Sequence, residues 1–303
     1  MKNMVDHDES YKRWTDIPYA GETRPPNNPI EPFAGSWRTY FIQHDEKGGF
    51  ETLDGRPIRL AIKDPNTIDF EKELKVVQRA QENINEDEIN KAIYWGAGPP
   101  TKQWTPIVDR LIDSYSVEAP RASRILAALY AGLNDAFVVA WSLKYKWQVA
   151  RPNQIDQNLA TIICTPVHPS YPSGHAVVSG AAEIILSYFF PTEHKKLHKL
   201  AEENATSRLY GGVHFPSDNK EGLRLGRQIG NIVVREISKE KNNRGSITDT
   251  PYRQFKDAEL NPPPYEQVIP YEYDTSCQSL VLQHVISKQD NDRDHLPKPK
   301  LFF

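Results

Sequence analysis

Between residues 66 and 240, apolar residues recur three and four positions apart in segment after segment, the spacing of helices that bury one face. Phe70, Leu74, Val77 and Ala80 predict a helix over about 68–83, with Asn66 or Thr67 as its cap. A second is expected over about 86–95, stopped by Gly96, Gly98, Pro99 and Pro100. Trp104, Ile107, Leu111 and Ile112 predict a third over about 104–115. The fourth is the longest. Pro120 suits its first turn, and the pattern continues to about Trp147. Its middle, residues 125–133, is apolar nearly all round, which predicts a place at the centre of a bundle. A fifth helix spans about 174–190 and is stopped by Pro191, a sixth spans about 193–209, and a seventh runs from an N-cap at Ser217 to about Lys239. Gly222, Gly226 and Gly230 fall every fourth residue on the last helix. Each costs about 1 kcal/mol against alanine in a helix interior, so a tightly packed neighbour is expected to offset them.

Both ends read differently. Residues 1–65 are rich in proline and glycine and predict an extended arm with a short hairpin within 37–60, pinned to the core by Trp37, Tyr40, Phe41 and Phe50. From about Asn242 the chain turns polar and proline-rich again, which predicts a tail wrapped on the bundle with a short helix at 275–288. No composition shift marks a domain boundary. The expected fold is all-α, a single helical domain over 1–303 with an arm (1–65), a helical core (66–240) and a C-terminal tail (241–303).

Composition narrows the function. The 303 residues carry a net charge of −3, with no basic excess to attract nucleic acid. The apolar stretch 125–141 is broken by Asn134 and Asp135, and the first residues contain no apolar leader core, so neither a membrane span nor a signal peptide is expected. A cytoplasmic protein is therefore expected, with Cys164 and Cys277 as reduced thiols by default and a disulfide between them as the open alternative.

Three clusters carry the candidate chemistry. The first is Lys144 followed, after six residues, by Arg151-Pro152. The second is Pro172-Ser173-Gly174-His175, where a loop turns into a helix. A hydroxyl, backbone N–H groups and an imidazole converge there at the positive end of a helix dipole, which suits a tetrahedral oxyanion; a serine N-cap beside an incidental histidine is the plainer reading. The third is Ser207-Arg208, five residues, His214, three residues, Asp218. Together they supply a lysine, two arginines, a serine, a glycine amide and two histidines, with no acidic metal-binding cluster. That inventory suits an anion of higher charge than a carboxylate.

The three clusters, in this order and spacing, resemble the signature K-x6-R-P, P-S-G-H and S-R-x5-H-x3-D of the superfamily joining type-2 phosphatidic acid phosphatases, bacterial acid phosphatases and vanadium-dependent haloperoxidases. The resemblance covers about 144–218 and implies a helical bundle with the site at the ends of its core helices. For a haloperoxidase it implies vanadate as cofactor, bonded by His214 and held by Lys144, Arg151, Ser173, Gly174 and Arg208. His175 would be the acid–base group, and Lys144 would polarise the peroxide that a halide attacks. For a phosphatase it implies a small phosphate ester, attack by His214 and protonation of the leaving group by His175. His168 stands where bromide-oxidising relatives carry histidine, which favours bromide or iodide and hydrogen peroxide as the partners.

Further readings stay open at this level. Asp218 orients the His214 ring, caps the following helix, or does both. Asp135 is a partner for Arg208 or a structural polar group. His194 and His198 are metal ligands or a solvated face. Trp147 and Tyr171 are pocket walls or core packing. A binding protein without turnover, and a homo-oligomeric assembly, are also left open.

Overall fold

Eight helices and one two-stranded hairpin follow one another along the described part of the chain. The structure is a computed structural model describing residues 10–260, 262, 264–274 and 276–280. The hairpin pairs β1 (Ile42–His44) with β2 (Phe50–Thr52), antiparallel. The helices are α1 (Phe70–Glu82), α2 (Glu86–Gly96), α3 (Trp104–Ser114), α4 (Ala119–Trp147), α5 (Pro152–Ile155), α6 (Gly174–Phe189), α7 (His194–Tyr210) and α8 (Pro216–Ile237). The helical pattern of the sequence is thus realised, with the one-turn α5 as an addition.

Two expected caps are corrected. Helix α1 is capped by Asp69, whose carboxylate accepts from the Lys72 amide at 3.0 Å. Asn66 and Thr67 belong to a separate one-turn helix (Pro65–Thr67), closed by Asp64 and ended by extended backbone at Ile68. Ser217 does not cap α8 either. Phe215 is the N-cap residue, and its N–H donates to Asp218 at 3.0 Å. Pro216 has no N–H to offer, so the carboxylate two positions beyond it reaches back instead.

Helix α6 is enclosed on nearly every side. Helix α4 also enters the core but leaves Tyr130 exposed, so the centre belongs to α6 rather than α4. The α8 glycines explain the arrangement. A Cβ on Gly226 would lie 2.0 Å from the Val177 carbonyl oxygen of α6, and one on Gly180 of α6 would lie 2.5 Å from that of Leu223. The two backbones touch, and the N-termini of α6 and α8 are brought side by side.

The arm is held by backbone more than by rings. Asp135, buried on α4, accepts from the Tyr40 N–H at 2.9 Å and the Phe41 N–H at 2.7 Å. That makes Asp135 the anchor of the hairpin, not a partner of Arg208. Ile42 and Phe50 are buried and Phe41 packs on the core, whereas Trp37 (49% exposed) and Tyr40 (53%) lie outside it. Tyr171 is fully buried and its ring packs at a tilt on that of Trp147, 5.5 Å between centroids, which makes both core packing.

The tail crosses α2 and the loop before α6. The Tyr265 hydroxyl donates to Glu203 at 3.2 Å, and Gln267 donates to the Tyr94 carbonyl at 3.0 Å. Cys277 is disulfide-bonded to Cys164. This overturns the expectation of reduced thiols and removes the support that the cysteines lent to a cytoplasmic location. Residues 276–280 are not helical, and most of the helix expected at 275–288 lies outside the described residues. The expectation that no segment is apolar and long enough to cross a membrane is also corrected. Helix α4 meets that test by length and composition, although 61% of its apolar window is buried inside the molecule.

The α6–α8 contact leaves no room for a methyl group. Gly226→Ala is expected to cost about 3 kcal/mol or more, read as a fall in the urea midpoint. A loss below about 1 kcal/mol would mean that the two helices separate at little cost.

Candidate active site

Five stretches meet at the adjoining ends of α4, α6, α7 and α8. Lys144 and Arg151 flank the end of α4, which closes with Gln148 in the left-handed conformation. Ser173 caps α6, its hydroxyl accepting from the Ala176 N–H at 3.4 Å. His175 sits in the first turn of α6, Arg208 in the last turn of α7, and His214 in the short connection to α8.

The histidine with the most constrained ring is His214. Its Nδ1 lies 2.8 Å from Asp218 Oδ2. The same oxygen accepts from the Phe215 N–H and from the Ser170 hydroxyl. A carboxylate that accepts here assigns the proton to Nδ1 and leaves a lone pair on Nε2. That lone pair accepts from Arg151 Nη1 at 3.0 Å. Asp218 thus both caps α8 and contacts His214. Its main-chain carbonyl also accepts from the Ser173 N–H at 3.0 Å, joining the α8 start to the α6 start.

The cations are completely buried. Lys144 Nζ donates to the carbonyls of Pro169 and Ser170, each at 2.7 Å. Arg151 donates to the carbonyls of His168 (3.0 Å) and Val213 (2.8 Å), and its Nη2 lies 3.0 Å from His168 Nδ1. His168 packs on the Trp141 ring with centroids 4.9 Å apart. The Gly174 Cα faces the same indole, since a Cβ there would lie 3.2 Å from it.

Arg208 is different. It is 1% exposed, yet among the described residues its Nε and Nη1 have no hydrogen-bond partner, and neither has Nε2 of the partly exposed His175. Unpaired buried donors on a charged group cost several kcal/mol. An oxyanion among Arg208, His175 and His214 would give them acceptors. The chemistry of this donor set therefore fits vanadate or phosphate.

Electrostatics point the same way. Burial, reinforced by the neighbouring cations, holds His168, His175 and His214 well below the usual histidine range. Burial and then Arg151 push Lys144 well down. Arg208 is lowered to about 9 and Arg151 to about 10, chiefly by burial. Asp218 is raised to about 6 by burial, against its three donors and the cations. Like charges crowd a dry pocket, and an anion would relieve them.

All nine candidate residues, Lys144, Arg151, His168, Ser173, Gly174, His175, Arg208, His214 and Asp218, lie in this region. Sequence reasoning passed over Ser170, which donates to Asp218 and accepts from Lys144; its place beside the Pro-Ser-Gly-His cluster was the available signal. It also missed Trp95 and Gly96, which come from α2. The Trp95 backbone bonds to His175, and a Cβ on Gly96 would sit 3.2 Å from Arg208 Nη1. Nothing in their spacing announces this. His198 is bonded to Glu183 at 2.9 Å, and no metal-binding group of histidine, cysteine and carboxylate side chains occurs among the described residues.

Comparison with known proteins accords with this geometry. The PAP2 superfamily matches residues 124–241. A vanadium-dependent bromoperoxidase of Corallina pilulifera is 37% identical over 101 residues, 24% of this chain and 17% of that protein. The decaprenylphosphoryl-5-phosphoribose phosphatase of Mycobacterium tuberculosis is 31% identical over 118 residues, 39% of this chain and 64% of that protein. Among solved structures, a bacterial vanadium-dependent iodoperoxidase aligns with a TM-score of 0.57 and 27% identity, over 74% of this chain and 60% of that one. The chain therefore spans less than two thirds of each of these relatives.

The buried histidines set an expected pH dependence. Their folded pKa values lie below the usual 6.5, so as pH falls through that value the unfolded chain takes up protons that the folded chain does not. Asp218 works in the opposite sense below about 6, because the folded state is protonated first. Three protons against one give a loss of up to about 3 kcal/mol per pH unit on the acid side. Urea unfolding at a series of pH values below 7 measures it. A flat profile would contradict the burial of neutral imidazoles.

Proposed function

We infer an activity from one premise: this chain belongs to the haloperoxidase/PAP2 superfamily. We propose that it is a vanadium-dependent haloperoxidase that oxidises bromide or iodide with hydrogen peroxide. The observation that carries the reading is the buried guanidinium of Arg208 beside His214, with Nε and Nη1 lacking a hydrogen-bond partner among the described residues, while Asp218 holds the His214 Nε2 lone pair ready.

His214 Nε2 would bond the vanadium, exchanging its contact with Arg151 for the metal. Arg208, Arg151 and Lys144 would hold the oxyanion oxygens, together with Ser173 and the N–H groups at the α6 start. When bound, vanadate supplies a Lewis-acid centre that activates peroxide toward two-electron oxidation of a halide. His175 carries the proton balance. With its pKa depressed it is neutral at physiological pH, and it can take a proton from entering peroxide and return one to the departing oxygen. Overall, peroxide, halide and one proton become hypohalous acid and water. Lys144 keeps a positive charge next to the developing negative oxygen once an anion raises its pKa again. His168, pressed between Arg151 and Trp141, forms part of the wall a halide would meet. The bromoperoxidase and iodoperoxidase similarities support the choice of halide.

A second reading rests on its own observation, the 31% identity to a phosphatase. There His214 Nε2 attacks the phosphorus of a phosphate ester, His175 protonates the leaving oxygen, and water releases phosphate from the histidine. The same cations stabilise the five-coordinate transition state.

A paired assay separates the two. Vanadate-loaded protein is expected to oxidise bromide or iodide with peroxide. Hydrolysis of a phosphate ester that vanadate inhibits, without halide oxidation, would transfer the assignment to phosphatase. His214→Ala is expected to abolish either activity, and full activity in that variant would sink both. Asp218→Asn is expected to lower vanadate affinity or turnover about 10–100-fold, because the ring loses its orienting acceptor.

A further inference from the structure

A second concentration of arginine lies on the flank of α8. A groove of about 590 Å3 runs between the segment after β2 and α8, lined by Arg56, Arg59, Arg224, Arg227 and Arg235 over a floor that includes Ile232. No carboxylate lines it. Three of the arginines have an acidic neighbour: Arg56 with Asp54 at 2.8 Å, Arg224 with Glu221 at 2.6 Å, and Arg227 with Glu183 and Glu202 at 2.8 and 2.7 Å. The guanidinium groups of Arg59 and Arg235 make no ion pair or hydrogen bond among the described residues, and both side chains are exposed.

The amide side chains of the groove already hydrogen-bond to the backbone. Gln228 donates to the Arg59 carbonyl at 2.8 Å and accepts from the Ala61 N–H at 2.6 Å. Asn231 donates to the Arg227 carbonyl at 2.7 Å. Recognition in the groove therefore falls to guanidinium forks, which match phosphate oxygens in pairs. A single monoanion would leave most of them unused. Arg224 and Arg235 are eleven residues apart on one helix, about 16 Å along its axis, so the positive charge is drawn out along a line. We propose that this groove is a second anion site that binds a chain of linked phosphates. The source is either a free inorganic oligophosphate or the phosphate chain of a nucleotide. The proposal stands apart from the activity assigned to the buried site.

The test is calorimetric titration of the full chain with inorganic tripolyphosphate at low salt, with and without excess orthovanadate. One binding event that vanadate does not displace is expected. Arg59→Gln with Arg235→Gln should weaken it about tenfold. A control with the same charge change on α1, Lys72→Gln with Lys75→Gln, should alter it less than about twofold. Equal affinity for ATP and tripolyphosphate would identify the phosphate chain alone as the ligand, and tighter binding of ATP would identify a nucleotide. Absence of the event, its displacement by vanadate, or equal weakening by the two double variants would overturn the proposal. All four substituted side chains are exposed, and circular dichroism verifies the fold of each variant.

Discussion

The buried carboxylate of Asp218 is the interaction on which the site's geometry depends. One of its oxygens accepts from His214 Nδ1, the Phe215 N–H and the Ser170 hydroxyl. Its carbonyl holds the Ser173 N–H. One residue therefore sets the tautomer of His214, starts α8, ties down the loop that receives Lys144, and joins the N-terminus of α6 to that of α8. Burying a charge costs several kcal/mol, and only a dense set of donors with nearby cations makes it tolerable. The raised pKa of Asp218 is the residue of that cost.

The rest of the fold serves to bring helix ends to this point. Bare backbone at Gly226 and Gly180 lets α6 and α8 touch, and their N-terminal ends are joined where the Ser173 N–H donates to the Asp218 carbonyl. The pocket is electrostatically unfavourable by itself. Lysine, two arginines and three histidines share it, and their pKa values fall together chiefly because the site is buried, with neighbouring cations adding to the effect at Lys144, Arg208 and the histidines. Such a pocket is preorganised for an anion: the protein has already met the cost of assembling donors, so binding energy is not spent on gathering them. Vanadate and a transferring phosphoryl group would both suit that arrangement, in keeping with a similarity to haloperoxidases and to a phosphatase alike.

The arm and the tail act at a distance from the chemistry but frame it. Asp135 holds the hairpin through two backbone amides. The tail braces the end of α2 through the Gln267 hydrogen bond and the Tyr265 ring, both at Tyr94, and is bonded to the loop before α6 by the disulfide. The braced end of α2 is where Trp95 meets His175 and Gly96 backs Arg208. The disulfide was not legible in the sequence, because two cysteines 113 residues apart carry no sign of their separation in space.

Much of the helical plan was legible because helix formation is local. The period of Phe70, Leu74 and Val77, the stop at Pro191 and the glycine repeat on α8 are properties of neighbouring residues, and each appeared where its pattern indicated. The three motif clusters were legible for a similar reason: each is a short run of sequence at the end of one helix or the start of the next. The sequence by itself determined which candidate side chains stand at these helix ends. The caps were misread where proline and aspartate neighbours competed, as at Asp69 and Phe215, since such choices turn on single hydrogen bonds. Only the tertiary structure decided that Nε and Nη1 of Arg208 have no hydrogen-bond partner among the described residues, that Asp218 joins two helices, that Asp135 serves the arm rather than Arg208, and that α2 closes the site from behind. Those facts depend on contacts between segments far apart in the chain, and spacing along the chain does not encode them.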